Sequence, residues 1–216
     1  MIIVITVSCM WLGACGSHQP TVQEKKEPEA PKSYFPVQDY IKGEIKLVDS
    51  TPVGIMRKFI SGAKKDSSFI ERPEFHRITQ EFTSDQLSKS ALEKNYTETA
   101  FNDQTTGYFT MTYLPVSADA PYRRIDVLAK PGQSADHISS IYMEREYSQG
   151  DTAISEKLFW KANTSFQIIK EKKYKDQNPV VEQLLVIWDP SAYWDALSIL
   201  IFEIVQPSKM AVEIEE

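Results

Sequence analysis

From Gly107 to Trp188 the chain alternates apolar and polar side chains segment after segment, and this constrains its fold more than any other feature. Segments at 107–116 (GYFTMTYLPV), 121–130 (PYRRIDVLAK), 138–147 (ISSIYMEREY), 152–161 (TAISEKLFWK), 165–174 (SFQIIKEKKY) and 180–188 (VVEQLLVIW) have the period of half-buried strands. Short connections with turn chemistry, Ser148-Gln149-Gly150-Asp151 and Ala162-Asn163-Thr164, separate them. Such connections leave no room for crossover helices, so an antiparallel meander of about six strands is expected instead of βαβ units. In the third segment Ile141, Met143 and Tyr147 share a face with Arg145, while Tyr142, Glu144 and Glu146 take the other. In the fourth, Ile154, Leu158 and Trp160 oppose Ser155 and Lys157. The last segment is apolar on both faces (Val180, Leu184, Val186, Trp188; Val181, Leu185, Ile187), which requires cover on both.

Ahead of the meander the period is helical. Pro36 suits a first helical turn, and Val37, Tyr40, Ile41, Ile45 and Val48 recur at spacings of three and four, giving an amphipathic helix over about 36–48. Pro52 and Gly54 end it. Val53 to Ile60 and Phe69-Ile70 are read as a hairpin around Ser61-Gly62-Ala63-Lys64-Lys65-Asp66. Pro73 opens a second helical stretch through Phe75, Ile78 and Phe82, and Ser84 is a cap for its continuation through Leu87, Ala91 and Leu92. The expected fold is therefore α+β, N-terminal helices packed on the meander, in a single domain over 34–216. The apolar tail Tyr193 to Val205 is too short to span a bilayer and suits a terminal docking helix or strand.

The first residues carry a different signal. Residues 1–11 (MIIVITVSCMW) begin an apolar run of about 14 residues, short of the roughly 20 that a membrane span needs but within the length of a signal-peptide core. It closes on Leu12-Gly13-Ala14-Cys15, with small residues just before a cysteine, and no Lys or Arg precedes it. These four residues resemble the lipobox of bacterial lipoproteins. The resemblance implies removal of residues 1–14 as a signal peptide, thioether linkage of Cys15 to diacylglycerol, and acylation of the new amino terminus with fatty acid such as palmitate. Gly16, where an inner-membrane retention signal has Asp, implies the outer membrane, with the periplasmic side favoured. With the tether and hairpin-rich domain that follow, the chain is similar to small Gram-negative envelope lipoproteins of uncharacterised function. That likeness is specific only at Leu12 to Cys15 and carries over no active-site residue.

Residues 15–33 are read as the lipidated cysteine and a disordered tether. His18 to Ser33 (HQPTVQEKKEPEAPKS) is rich in Pro, Glu and Lys, with its charges balanced, and spans on the order of 20 to 40 Å between coil and extended limits. Cysteine use agrees: of Cys9 and Cys15 only Cys15 survives cleavage, its sulfur bonded to lipid. Disulfides, thiol nucleophiles and cysteine-ligated zinc then drop out. A net charge of −6 argues against nucleic acid and against electrostatic attachment to anionic headgroups. Membrane attachment falls to the acyl chains on Cys15.

Chemistry is sparse. His18, His76 and His137 stand far apart without metal-ligand spacing, and the chain holds no nucleophile elbow, Walker loop or dinucleotide fingerprint. No metal site and no cofactor are expected. Glu144 and Glu146 on one strand face have Lys157 and Lys161 as cross-strand partners, a solvated charge ladder more than an acid/base dyad. Tyr108, Phe109, Tyr113, Tyr142, Tyr147, Phe159, Trp160 and Trp188 suit either sheet core or the lining of an apolar pocket. The first reading is a non-enzymatic envelope lipoprotein that binds a protein partner or supports an assembly, marked by an exposed strand edge. The alternative is a carrier or binder of a lipid or other hydrophobic ligand, marked by a cavity of several hundred Å³ under the sheet. A hydrolase assembled from distant residues ranks third.

Overall fold

The computed structural model describes residues 34–130, 137–175 and 177–192. Residues 1–33, which include the four that resemble a lipobox and the stretch read as a tether, and the tail Tyr193 to Val205 lie outside them.

Helix α1 (Val37–Ser50) buries Val37, Ile41, Ile45 and Val48, the stripe that its three-and-four spacing dictates. Strands β1 (Ile55–Ser61) and β2 (Lys64–Ile70) form a hairpin around Gly62-Ala63, where Gly62 takes a left-handed φ of 55°. Helix α2 (Arg72–Thr79), with Pro73 in its first turn, runs into a 3-10 turn, Gln80–Phe82. The side chain of Arg72 donates to Val48 O (3.0 Å) and Thr51 O (2.6 Å), a second donor to carbonyls that already accept from Thr51 N and Val53 N where α1 ends. Ser84 caps a second 3-10 turn (Asp85–Leu87), not the continuous helix expected from sequence. Ser88 then accepts from Ala91 N and starts helix α3 (Lys89–Asn95).

Strands β3 (Tyr96–Asn102), β4 (Phe109–Pro115), β5 (Arg124–Ala129), β6 (Ile138–Gln149), β7 (Thr152–Lys161), β8 (Ser165–Lys173) and β9 (Val180–Ile187) complete the chain's described part. All pairings are antiparallel, in the order β2-β1-β9-β8-β7-β6-β5-β4-β3. The sheet thus has nine strands, where the sequence reading counted about six in the meander. The β1–β2 hairpin joins the same sheet by pairing β1 with β9, and β3 adds an edge strand that the alternation did not reveal. Nor do the helices form one N-terminal block: only α1 precedes the sheet, while α2 and α3 lie between β2 and β3. Strand β9 lies between β1 and β8; Val186 and Ile187, on opposite faces at its carboxyl end, are buried, whereas Val180 and Val181 at its start are exposed, so the cover its apolar pattern requires is met at one end alone.

Helices and sheet share one core. Phe75 and Phe82 from the helical side meet Trp160, Phe166 and Trp188, with Trp160 stacked on Phe166 at 5.4 Å and Phe82 edge-on to Trp160 at 5.2 Å. Each such ring stabilises the fold by about 1.5–3 kcal/mol through burial alone. The sheet face that carries these rings is its inner face.

Candidate functional site

Two tight turns set the site. A two-residue turn at Gly150-Asp151 fixes the β6–β7 register, and Ala162-Asn163-Thr164, with Asn163 at a left-handed φ of 59°, fixes β7–β8. Arg145 on β6 therefore lies opposite Glu156 on β7, Glu156 opposite Lys170 on β8, and Lys170 opposite Glu182 on β9. Four charges of alternating sign cross the inner face in one row. The adjacent row toward the core is apolar: Met143, Leu158, Ile168, Leu184 and Phe59.

Glu156 is fully buried and bridges both cations: Arg145 Nε donates to its Oε2, and Lys170 Nζ lies 2.9 Å from its Oε1 in a charge contact. From the 3-10 turn after α2, Glu81 reaches down to the same pair, accepting from Arg145 Nη2 and, at 2.8 Å, from Lys170 Nζ. Two carboxylates and two cations thus form a neutral quartet that ties the helical layer to β6, β7 and β8. Burial raises the Glu81 pKa, but Lys170 and Arg145 outweigh it and hold the carboxyl below its ordinary value. Burial acts to lower the two cations, and their carboxylate partners more than reverse that. The Arg145 guanidinium also lies over the rings of Tyr147 (5.4 Å) and Tyr122 (6.0 Å).

Over the Lys170–Glu182 end of the charged row, and on both sides of it, a groove of about 490 Å³ opens between α2 and the inner face. Phe59, Ile154, Ile168 and Leu184 form its floor, with Tyr147 at one side and Ile78 on the helical wall. Its rim is ionic: Arg57 binds Glu74 (2.7 Å) and Asp66, and Lys172 binds Glu182 (2.7 Å). The groove is therefore amphipathic, with apolar side chains on both sides of a charged row.

Apart from Tyr147, the residues singled out from sequence fall elsewhere. Leu12, Gly13, Ala14 and Cys15 lie outside the described residues, as does His18. His76 Nε2 sits 3.1 Å from Asp49, and His137 is exposed. Among the described residues no three His, Cys, Asp or Glu side chains converge as a metal site, and no helix is long and apolar enough to cross a membrane. Glu144 stands opposite Lys157, whereas Glu146 has Arg123 at 3.6 Å in place of a β7 lysine. Tyr113, Trp160 and Trp188 belong to the core, and of the eight aromatic residues weighed for a pocket Tyr147 alone lines the groove. Glu156, Lys170 and Glu81 are not among the residues that the sequence marks, although the period-two pattern puts Glu156 between Ile154 and Leu158 on the apolar side of β7.

Comparison with known proteins adds no relative: no family model, no curated protein and no solved structure matches the chain.

Proposed function

We propose that this chain is a lipid-anchored envelope lipoprotein, tethered through Cys15 to the outer membrane on its periplasmic side, whose domain binds an amphiphilic ligand without transforming it. The observation that carries the ligand reading is the groove, where Phe59, Leu184 and Ile168 lie on one side of the Lys170–Glu182 pair and Ile154 and Tyr147 on the other. Its volume falls within the range of small-molecule sites, and its composition suits a ligand with one oily and one polar part. The ionic groups around it neutralise one another, as suits a recognition wall more than an acid/base pair. A protein-binding role is the second reading, favoured by the unpaired edge of β3, where Phe101 is 66 % exposed.

The anchor is tested by intact mass and membrane fractionation of wild type beside Cys15→Ser: loss of residues 1–14 with gain of acyl mass in the wild type alone supports it, and identical behaviour refutes it. The groove is tested with the full chain carrying Cys15→Ser and the uncharged probe N-phenyl-1-naphthylamine. Saturable fluorescence enhancement that Phe59→Ser and Leu184→Gln weaken, at unchanged melting temperature, supports the reading. Enhancement indifferent to both substitutions, or none at all, removes it.

A further inference from the structure

We infer that the groove selects a single-chain amphiphile with a carboxylate headgroup, which takes the place of the Glu81 carboxylate on Arg145 and Lys170. This rests on the groove being a ligand site and names what enters it. The two cations hold two carboxylates of different standing. Glu156 is fully buried and fixed in the middle of β7, so it cannot leave without unfolding the sheet. Glu81 comes from a three-residue 3-10 turn, faces the groove, and keeps a third of its side chain in solvent. It is the exchangeable member of the quartet.

Charge balance sets the ligand's chemistry. With Glu81 swung away, Arg145, Lys170 and Glu156 leave one positive charge at a half-buried place, an arrangement that demands an anion. A carboxylate supplies that single charge and reproduces the bridge from Arg145 Nη2 to Lys170 Nζ that Glu81 already makes. A phosphate monoester carries nearly two charges at neutral pH and overshoots. The tail of the ligand also has a path. Ile168 lies two residues from Lys170 on the same face, about 7 Å away along the strand, and leads to Leu184 and Phe59 across the floor.

The test uses the full chain carrying Cys15→Ser, with cis-parinaric acid and its alcohol as fluorescent probes and lysophosphatidic acid as a competitor. The wild type is expected to bind the acid more tightly than the alcohol. Glu81→Gln removes the internal competitor and is expected to tighten the acid about 5- to 50-fold, a coupling of ordinary size, with the alcohol changed by less than about twofold. Lys170→Met, checked by thermal melting, is expected to abolish the preference for the acid and keep the alcohol. Equal binding of acid and alcohol in every variant overturns the inference and leaves the groove reading standing; failure of both probes to bind removes that reading as well. Glu81→Gln weakening the acid, or lysophosphatidic acid gaining from it while the fatty acid does not, also overturns the carboxylate assignment. Should Glu81→Gln melt too early to titrate, the Lys170→Met result decides: parallel loss of acid and alcohol counts against the proposal.

Discussion

Trp160 and Glu156 stand on one strand, on one face, four residues apart, and both are fully buried. Around Trp160 and its neighbour Phe166 the helices present Phe75 and Phe82, and the result is an aromatic core. Around Glu156 the helical layer presents Glu81, and the neighbours across the sheet are Arg145 and Lys170. The same strands thus build two kinds of interior, one held by area removed from water and one by charge pairing. The pairing contributes little net stability, since desolvating four ions offsets most of their attraction. Its consequence is positional: it interrupts the apolar face at a defined row, and the groove opens over that row.

Several substitutions sharpen or break this comparison. Trp160→Ala is expected to cost about 3–5 kcal/mol in denaturant unfolding, through lost burial and the cavity left behind; a loss under about 1 kcal/mol would deny that the aromatic half is the stabilising one. Glu156→Ala strands Arg145 and Lys170 on a single remaining carboxylate and is expected to cost about 3 kcal/mol. Replacing the strand members together (Arg145→Met, Glu156→Leu, Lys170→Met) should by contrast be near neutral or stabilising, with loss of carboxylate binding. If the triple variant falls as far as Glu156→Ala alone, the quartet stabilises the fold after all.

On the opposite face Lys58 is buried with no hydrogen-bond partner for its ammonium. Lys58→Met is expected to raise stability by about 1 kcal/mol, read from the denaturation midpoint. Burial lowers the Lys58 pKa, so the unfolded chain binds the proton more tightly. Wild-type stability relative to Lys58→Met should therefore rise with pH between the folded value and the ordinary lysine value of 10.5. The smallest effect concerns Glu81. Its depressed pKa gives stability that is present above the ordinary carboxylate range and lost as pH falls through the folded value, below 4.5. An acid titration of Glu81→Gln should be flatter there than that of wild type.

Much of the sheet was legible because its turns are. Gly150-Asp151 and Ala162-Asn163-Thr164 fix two registers, and equal counting from them places Arg145, Glu156 and Lys170 in line. What concealed the row was the apolar company each charge keeps: Glu156 sits between Ile154 and Leu158, and Lys170 follows Phe166 and Ile168. A charge on an apolar face has meaning only once a neighbour's register is applied to it. Strand β3 escaped because an edge strand is wet on both faces over most of its length, so its alternation is weak. The groove was not legible at all. It depends on Glu74, Arg77 and Ile78 of α2 coming together with Phe59, Ile168 and Leu184 of the sheet, a tertiary arrangement that no local period encodes.

The most direct measurement is photoaffinity labelling with a diazirine-bearing fatty acid, mapped by peptide mass spectrometry on the full chain carrying Cys15→Ser. Labels are expected on peptides that contain Phe59, Tyr147, Ile154 and Leu184, and are expected to fade under excess unlabelled fatty acid. Labels confined to the outer face or to the β3 edge at Phe101, or labels that excess ligand does not displace, would contradict the claim that the trough beside the Arg145–Glu156–Lys170 row is a binding site.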